Sequence, residues 1–153
     1  MSIELVGHAA TVVTIIMFLC PAPLAFKVFR EKSISHDFNL LPYVTTGMTA
    51  TLWLRYGLLI NDGPMRNVNL VGTILEIIYS IIFFSAMEGS QRARKNRTIL
   101  VGAFSFCISV LLLVRFMERD VAQNALGLVA SGVNVITFAS PLATIQTVLR
   151  YSS

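Results

Sequence analysis

The sequence predicts an all-α, polytopic membrane protein built as a helical bundle. Hydrophobic residues make up 55% of the 153 residues, whereas charged residues make up 13%. The mean hydropathy is +0.72, and so few charged side chains cannot cover so much apolar surface in water. These observations exclude an ordinary soluble domain, a disordered tail and a disulfide-framed secreted module.

Five segments carry at most one charged residue each and match the length of about 20 residues that a helix needs to cross a bilayer. The predicted spans lie at about 5–27, 42–60, 67–87, 98–117 and 121–149. We group them as a first three-helix bundle over 1–88, a basic loop with a linker helix over 89–120, and the first helix of a second, incomplete bundle over 121–153.

The basic residues predict the orientation of the chain. With the N-terminus outside, eight Lys and Arg residues lie on inner segments and three on outer ones, which is the asymmetry that the positive-inside rule describes. We therefore expect an extracellular or lumenal N-terminus and a cytosolic C-terminus, in the plasma membrane or in the Golgi and endomembranes. The sequon at Asn96 falls on the cytosolic side and is expected to stay unglycosylated. No helix carries a basic face, so nucleic acid is not an expected partner.

An internal repeat relates the first predicted helix to the fifth. A shift of 120 residues pairs Pro21 with Pro141, and it also pairs Phe18, Thr14, Val28 and Arg30 with Phe138, Asn134, Val148 and Arg150. Both helices run in the same direction, and transporters with such parallel repeats bind substrate between the two halves. The pattern looks like a protein of three, one and three helices that is cut after the fifth.

Short motifs along the whole chain carry a family resemblance. They are Phe18-Leu19-Cys20-Pro21, Lys27-Val28-Phe29-Arg30-Glu31-Lys32-Ser33, Leu41-Pro42-Tyr43, Leu52-Trp53, Tyr56-Gly57, Asn69-Leu70-Val71-Gly72, Glu76-Ile77-Ile78-Tyr79 and Ser140-Pro141-Leu142. In this order they resemble the SWEET sugar transporters of the MtN3/saliva family. The resemblance implies an uncoupled, bidirectional facilitator of mono- or disaccharides such as glucose, working by alternating access, with no enzymatic activity and no cofactor.

Trp53 and Asn69 are the leading candidates for substrate contacts. A tryptophan in mid-membrane offers a flat apolar face to a sugar ring, although it also serves as a packing or interface residue. An amide offers both donors and acceptors to hydroxyls, although it also forms interhelical hydrogen bonds. The resemblance favours the pocket for both, and it adds Met17 and Thr137. Thr49 shares a helix face with Trp53, although threonine often bonds its own backbone.

Three prolines and one tyrosine are the candidate hinge and gate residues. Pro21, Pro42 and Pro141 each remove a helix hydrogen bond, so the helix bends there easily. Pro42 could instead simply begin its helix. The resemblance assigns Tyr56 to an extracellular gate, and an ordinary interface tyrosine is the alternative.

Glu76 is the one acidic residue deep in a predicted span, which makes it a functional candidate. We favour a neutral or hydrogen-bonded structural role, because the family's glutamate in this context accompanies uncoupled transport. The alternative function for the whole chain is a non-transporting, truncated isoform. Such a chain would assemble with itself or with full-length sugar transporters and regulate them.

Overall fold

The computed structural model describes the backbone over residues 3–35, 38–87 and 91–151, and the side chains over residues 5, 7–35, 38–87 and 93–138. The described backbone forms six helices and no strand: α1 (Ile3–Leu19), α2 (Ala22–Glu31), α3 (Leu41–Ile60), α4 (Gly63–Ser85), α5 (Gln91–Arg115) and α6 (Arg119–Tyr151). The all-helical prediction is therefore confirmed.

The first predicted span is one segment interrupted at Pro21. The amide of Cys20 donates to the carbonyls of Ile16 and Met17 at 3.1 and 3.2 Å, and α-helical bonding resumes where the amide of Ala25 donates to the carbonyl of Pro21 at 2.9 Å. Proline has no N–H to offer the preceding turn, so the ladder breaks there. The segment Gly7–Glu31 is nevertheless long and apolar enough to cross a membrane as a whole.

The turn between α3 and α4 is short because its residues suit a helix end and a helix start. Asn61 ends α3 in the left-handed conformation, with φ of 60°, and the Asp62 side chain accepts a hydrogen bond from the amide of Met65 at 2.8 Å. This cap starts α4 at Gly63, four residues before the predicted boundary. Gly57 allows the close return, because a Cβ atom there would lie 3.0 Å from the amide nitrogen of Arg66.

Helix α3 lies at the centre of the bundle, where it packs against α4, α5 and α6. Leu52 of α3 is fully buried in a cluster with Val114 of α5 and with Ala122, Leu126 and Ala130 of α6. A second cluster joins α2, α3 and α4 around Phe83, whose ring contacts those of Phe38 and Tyr43 at centroid distances of 4.8 and 4.7 Å. These two clusters hold α3, α4 and α6, and a third cluster of Phe18, Ala50 and Val68 attaches α1 to them.

Four helical segments in the described part of the chain are long and apolar enough to cross a membrane: Gly7–Glu31, Gly63–Ser85, Ala93–Arg115 and Arg119–Phe138. Helix α3, the second predicted span, does not reach that apolarity because it carries four threonines and Arg55. Its central position explains this difference, since it faces other helices rather than lipid alone. Large apolar side chains such as Phe104 and Leu128, 69% and 77% exposed, point outward, as in an integral membrane protein.

The basic segment before the fourth predicted span is helical rather than a loop. Helix α5 begins at Gln91, whereas the predicted span begins at about residue 98. Arg, Lys and Ala have high helix propensity, which extends the helix beyond its apolar part. Asn96 of the sequon is 8% exposed, and its amide donates to the Met87 sulfur.

Candidate functional site

A cavity of about 480 Å³ lies between α1, α3, α4 and α6. Helices α1 and α6 contribute residues that the repeat relates to each other, namely Thr14 with Asn134, Met17 with Thr137, and Phe18 with Phe138. Helices α3 and α4 supply the remaining lining residues except Pro21: Pro42, Tyr43, Thr46, Thr49, Ala50, Trp53, Asn69 and Glu76. The cavity therefore lies between the first helix of one repeat and the first helix of the other.

All five predicted substrate-binding residues line this one cavity: Asn69, Trp53, Thr49, Met17 and Thr137. They come from four helices, and the structure brings their side chains together around the same space. Whether they bind a substrate stays a prediction.

The predicted hinge and gate residues have different positions. Pro21 lines the cavity at the α1–α2 interruption, and Pro42 lines it from the first turn of α3. A proline in a first turn removes no helix hydrogen bond, and this position favours the alternative interpretation that Pro42 begins its helix. Whether Pro42 acts as a hinge stays a prediction. Pro141 lies in α6 outside the residues whose side chains are described.

Tyr56 lies beside the cavity rather than in its wall. Its ring packs edge-on against that of Trp53, with a centroid distance of 5.4 Å and an interplanar angle of 82°. Its other side faces α6 at Gly127, where a Cβ atom would lie 3.1 Å from the Tyr56 ring. Tyr56 thus links Trp53 to the wall that α6 provides.

The threonines and Asn69 in the cavity wall donate hydrogen bonds to their own helices. The hydroxyls of Thr14, Thr46, Thr49 and Thr137 each donate to a backbone carbonyl of the preceding turn, at 2.8 or 2.9 Å. Nδ2 of Asn69 donates to the carbonyl of Met65 at 2.9 Å. The hydroxyl lone pairs and Oδ1 of Asn69 remain as acceptors. The cavity therefore suits a ligand that donates hydrogen bonds.

Glu76 also lines the cavity, and its expected neutral or hydrogen-bonded structural role stays a prediction. The residue is 3% exposed, and Oε2 is buried with no hydrogen-bond donor among the described residues. Helix α3 approaches it closely at Gly47, where a Cβ atom would lie 3.2 Å from Cβ of Glu76. Among the described residues, no three His, Cys, Asp or Glu side chains are grouped to hold a metal ion.

Several lining residues were not predicted from the sequence, including Tyr43, Thr46 and Phe18. Helical spacing could have found Thr46, since it lies one turn before Thr49. Thr14 and Asn134 also line the cavity. The 120-residue repeat pairs these two polar residues, so the repeat could have identified them from the sequence.

Comparison with known proteins finds similarity to sugar transporters. The sequence profile of the MtN3/slv family, described as "Sugar efflux transporter for intercellular exchange", matches residues 4–92. The chain is 29% identical over 151 residues to the bidirectional sugar transporter SWEET14 of Arabidopsis thaliana, covering 96% of this chain and 53% of that protein. It is 29% identical over 154 residues to the sugar transporter SWEET1 of Drosophila pseudoobscura pseudoobscura, covering 96% of this chain and 65% of that protein.

A solved structure of a eukaryotic SWEET transporter shares the fold. It superimposes with a TM-score of 0.78 at 26% sequence identity, and the match covers 96% of this chain and 70% of the other. The chain spans about half to two thirds of the length of these two curated relatives, because the matches cover 53% of one and 65% of the other. Because the family profile matches more than half of the chain, this protein belongs to the MtN3/saliva family of SWEET sugar transporters.

Proposed function

We propose that the chain carries the sugar pathway of an uncoupled, bidirectional facilitator of mono- or disaccharides, with glucose as the simplest candidate. The observation that carries the proposal is the cavity between α1 and α6, which combines hydrogen-bond acceptors with the exposed face of an aromatic ring. Members of the family are transporters rather than enzymes, and moving a sugar across a bilayer requires no bond to be made or broken.

The lining favours a neutral polyol. Sugar hydroxyls donate hydrogen bonds, and the free lone pairs of the threonines and of Asn69 accept them. The ring of Trp53 offers a flat apolar surface to the C–H face of a pyranose. Glu76 supplies the one carboxyl group among the described lining residues, so sugar acids and sugar phosphates meet no positive charge there.

The relation between α1 and α6 supports alternating access. In parallel-repeat transporters the two halves move around a substrate bound near the membrane midplane. Here the first span is interrupted at Pro21, a lining residue, so α1 and α2 can move relative to each other at the cavity itself.

The experiment is uptake of radiolabelled glucose by proteoliposomes that contain only this chain. We expect saturable uptake that is the same with and without an imposed pH gradient. Trp53→Ala and Asn69→Ala should each reduce uptake roughly tenfold, the effect of losing one or two net interactions with the sugar. Leu128→Ala is the matched control, since Leu128 is 77% exposed on the outer side of α6. Uptake equal to that of empty liposomes, from a folded preparation, would contradict transport by this chain alone.

A second candidate function is assembly with another SWEET chain. Met17 and Phe138 line the cavity yet are 53% and 58% exposed, so the described helices leave part of the cavity wall uncovered. A second copy or a full-length relative could cover that side and change its transport. Cross-linking through a cysteine introduced at Phe138, with a full-length relative co-expressed, tests this function. If the chain stays monomeric after cross-linking and the relative's transport does not change, this function is contradicted.

A further inference from the structure

The break at Pro21 leaves the carbonyl oxygen of Phe18 without its usual helix partner. In an uninterrupted helix the amide of Ala22 would donate to this oxygen. The Cys20 amide closes the last turn before the break and the Ala25 amide the first turn after it, and among the described residues no backbone bond joins Ala22 to Phe18. The hydroxyl of Tyr79, on α4, donates to the Phe18 carbonyl at 3.2 Å. A side chain 61 residues away thus replaces the backbone bond that the interruption removes.

One face of α4 contacts Phe18 at two points, through Gly72 and through Tyr79. The ring of Phe18 lies against Gly72 so closely that a Cβ atom there would overlap it, and the carbonyl of the same residue accepts the Tyr79 bond. Phe18 and Tyr79 are 8% and 4% exposed. Buried contacts with one face of α4 therefore stabilise the interrupted form of the α1–α2 segment.

Glu76 lies on this same face, between the two contact points. Residues three and four positions apart are neighbours on a helix surface, so Glu76 is adjacent to both Gly72 and Tyr79. Side chains in a helix lean toward its N-terminus, which directs the Tyr79 side chain over the turn that holds Glu76. Oε2 of Glu76 is buried and finds no donor in the part of the chain that the structure describes.

We propose that Tyr79 and Glu76 are positioning residues that form a two-state hydrogen-bond switch for the Pro21 hinge. In the interrupted form, the Tyr79 hydroxyl bonds the Phe18 carbonyl and Glu76 Oε2 has no donor. In a continuous form, the Ala22 amide bonds the Phe18 carbonyl, and the Tyr79 hydroxyl turns to Glu76 Oε2. The interrupted form leaves Glu76 Oε2 and the Ala22 amide without these partners, whereas the continuous form must fit the Pro21 ring against the preceding turn. The two costs oppose each other, so the hinge can move. The switch concerns the helix alone and does not depend on which ligand fills the cavity.

A double-mutant comparison tests the switch, with the distance between two spin labels on the α1–α2 segment as the measured quantity. Spin labels at Ala9 and Lys27, in a chain with Cys20→Ser and Cys107→Ser, lie about 27 Å apart along a continuous helix. Glu76→Met removes the acceptor of the continuous form and the unpaired oxygen of the interrupted form. The ratio of the two forms in lipid nanodiscs should shift roughly fivefold toward the interrupted one, the factor for one net hydrogen bond. In a Tyr79→Phe background, Glu76→Met should produce no shift, because neither form then has the Tyr79 bond.

Three further variants separate the switch from a merely structural role. Glu76→Gln keeps an acceptor oxygen, so the distance distribution should stay as in the parent chain. Ser85→Ala removes another α4 hydroxyl, which bonds only its own helix at Ile82, and it should also have no effect. Tyr43→Phe asks whether the lining tyrosine of α3 is the donor to Glu76 instead of Tyr79.

Amide hydrogen exchange at Ala22 provides a second readout that needs no spin labels. Because Ala22 donates to Phe18 only in the continuous form, Glu76→Met should speed its exchange when Tyr79 is present and leave it unchanged in Tyr79→Phe. If the Met variant does not fold, Glu76→Leu serves in its place. An equal shift in both backgrounds, no shift in either, or loss of the shift with Tyr43→Phe would overturn the proposal. None of these readouts requires sugar transport, so a failed uptake experiment leaves the test intact.

Discussion

Single residues decide how closely the helices of this bundle approach each other. Gly72 receives the ring of Phe18, Gly47 lies against Glu76, and Gly127 lies against Tyr56. Each is a place where a side chain of one helix reaches the backbone of another, and two of these side chains, Phe18 and Glu76, line the cavity. In a membrane, where helices gain little from the hydrophobic effect, such close packing is a principal source of association.

Gly72→Ala tests this packing at the α1 contact. The added methyl group overlaps the Phe18 ring, so we expect the solubilised chain to lose about 1–3 kcal/mol of stability, the usual range for overpacking. Thermal unfolding followed by circular dichroism measures it. Gly102→Ala in α5 is the control, because no atom lies within 4 Å of its Cβ position, and it should be neutral or slightly stabilising. Equal melting temperatures for the two variants would contradict the contact.

Among the helices, α3 connects α4 with α5 and α6. It packs against each of these three helices, while Thr46, Thr49 and Trp53 line the cavity. This double role explains why α3 is less apolar than the other spanning segments. A helix at the centre of a bundle can carry polar groups that a lipid-facing helix cannot.

Leu52→Ala tests the contact of α3 with α5 and α6. Leu52 is 0% exposed, so truncation leaves a cavity and should cost about 2–5 kcal/mol. Leu113→Ala is the matched control, because Leu113 is 61% exposed on α5. We expect the midpoint of denaturant unfolding in mild detergent to fall for Leu52→Ala alone. A similar fall for both variants would contradict a specific interface.

Arg119 joins the ends of two helices and offers a second test at this scale. Its guanidinium group donates from Nε and Nη2 to the carbonyl of Leu59 at 3.2 and 2.8 Å. This carbonyl belongs to the last turn of α3, where a positive charge is favourable. Arg119→Ala should lower stability by about 1 kcal/mol, since the side chain is exposed. Arg115→Ala, an exposed arginine of the same turn, should have less effect on the melting temperature.

At the scale of the whole molecule, the basic residues set the orientation that we propose. The Arg119 contact with Leu59 places the α3–α4 and α5–α6 turns at the same end of the bundle. The basic end of α2, with Arg30 over Phe26 and Lys32 over Phe29, belongs to the opposite end. Positive charge concentrates on the cytosolic side of membrane proteins.

Cysteine labelling of intact cells tests this orientation. In a chain with Cys20→Ser and Cys107→Ser, an impermeant maleimide should label Glu118→Cys from outside and should label Glu31→Cys only after permeabilisation. Both positions are exposed, so reactivity reports the side of the membrane. The reverse pattern would contradict an outside N-terminus.

The sequon at Asn96 gives an independent prediction for the folded chain. Asn96 is 8% exposed and its amide bonds the Met87 sulfur, so we expect no glycan there. Treatment with a peptide N-glycosidase should leave the electrophoretic mobility unchanged. A faster-migrating band after treatment would show that this segment faces the lumen and is accessible.

The sequence by itself determined the membrane class, the all-helical fold and the family, because hydropathy, helical spacing and short motifs are local properties of the chain. It also placed Trp53, Asn69 and Thr49 on faces that the structure brings to the cavity. Tertiary structure alone decided that Tyr79 bonds the Phe18 carbonyl and that Glu76 lines the cavity with no donor to Oε2 among the described residues. Those features depend on which helix faces meet and on where the Pro21 break falls against α4. No local pattern of residues contains that information.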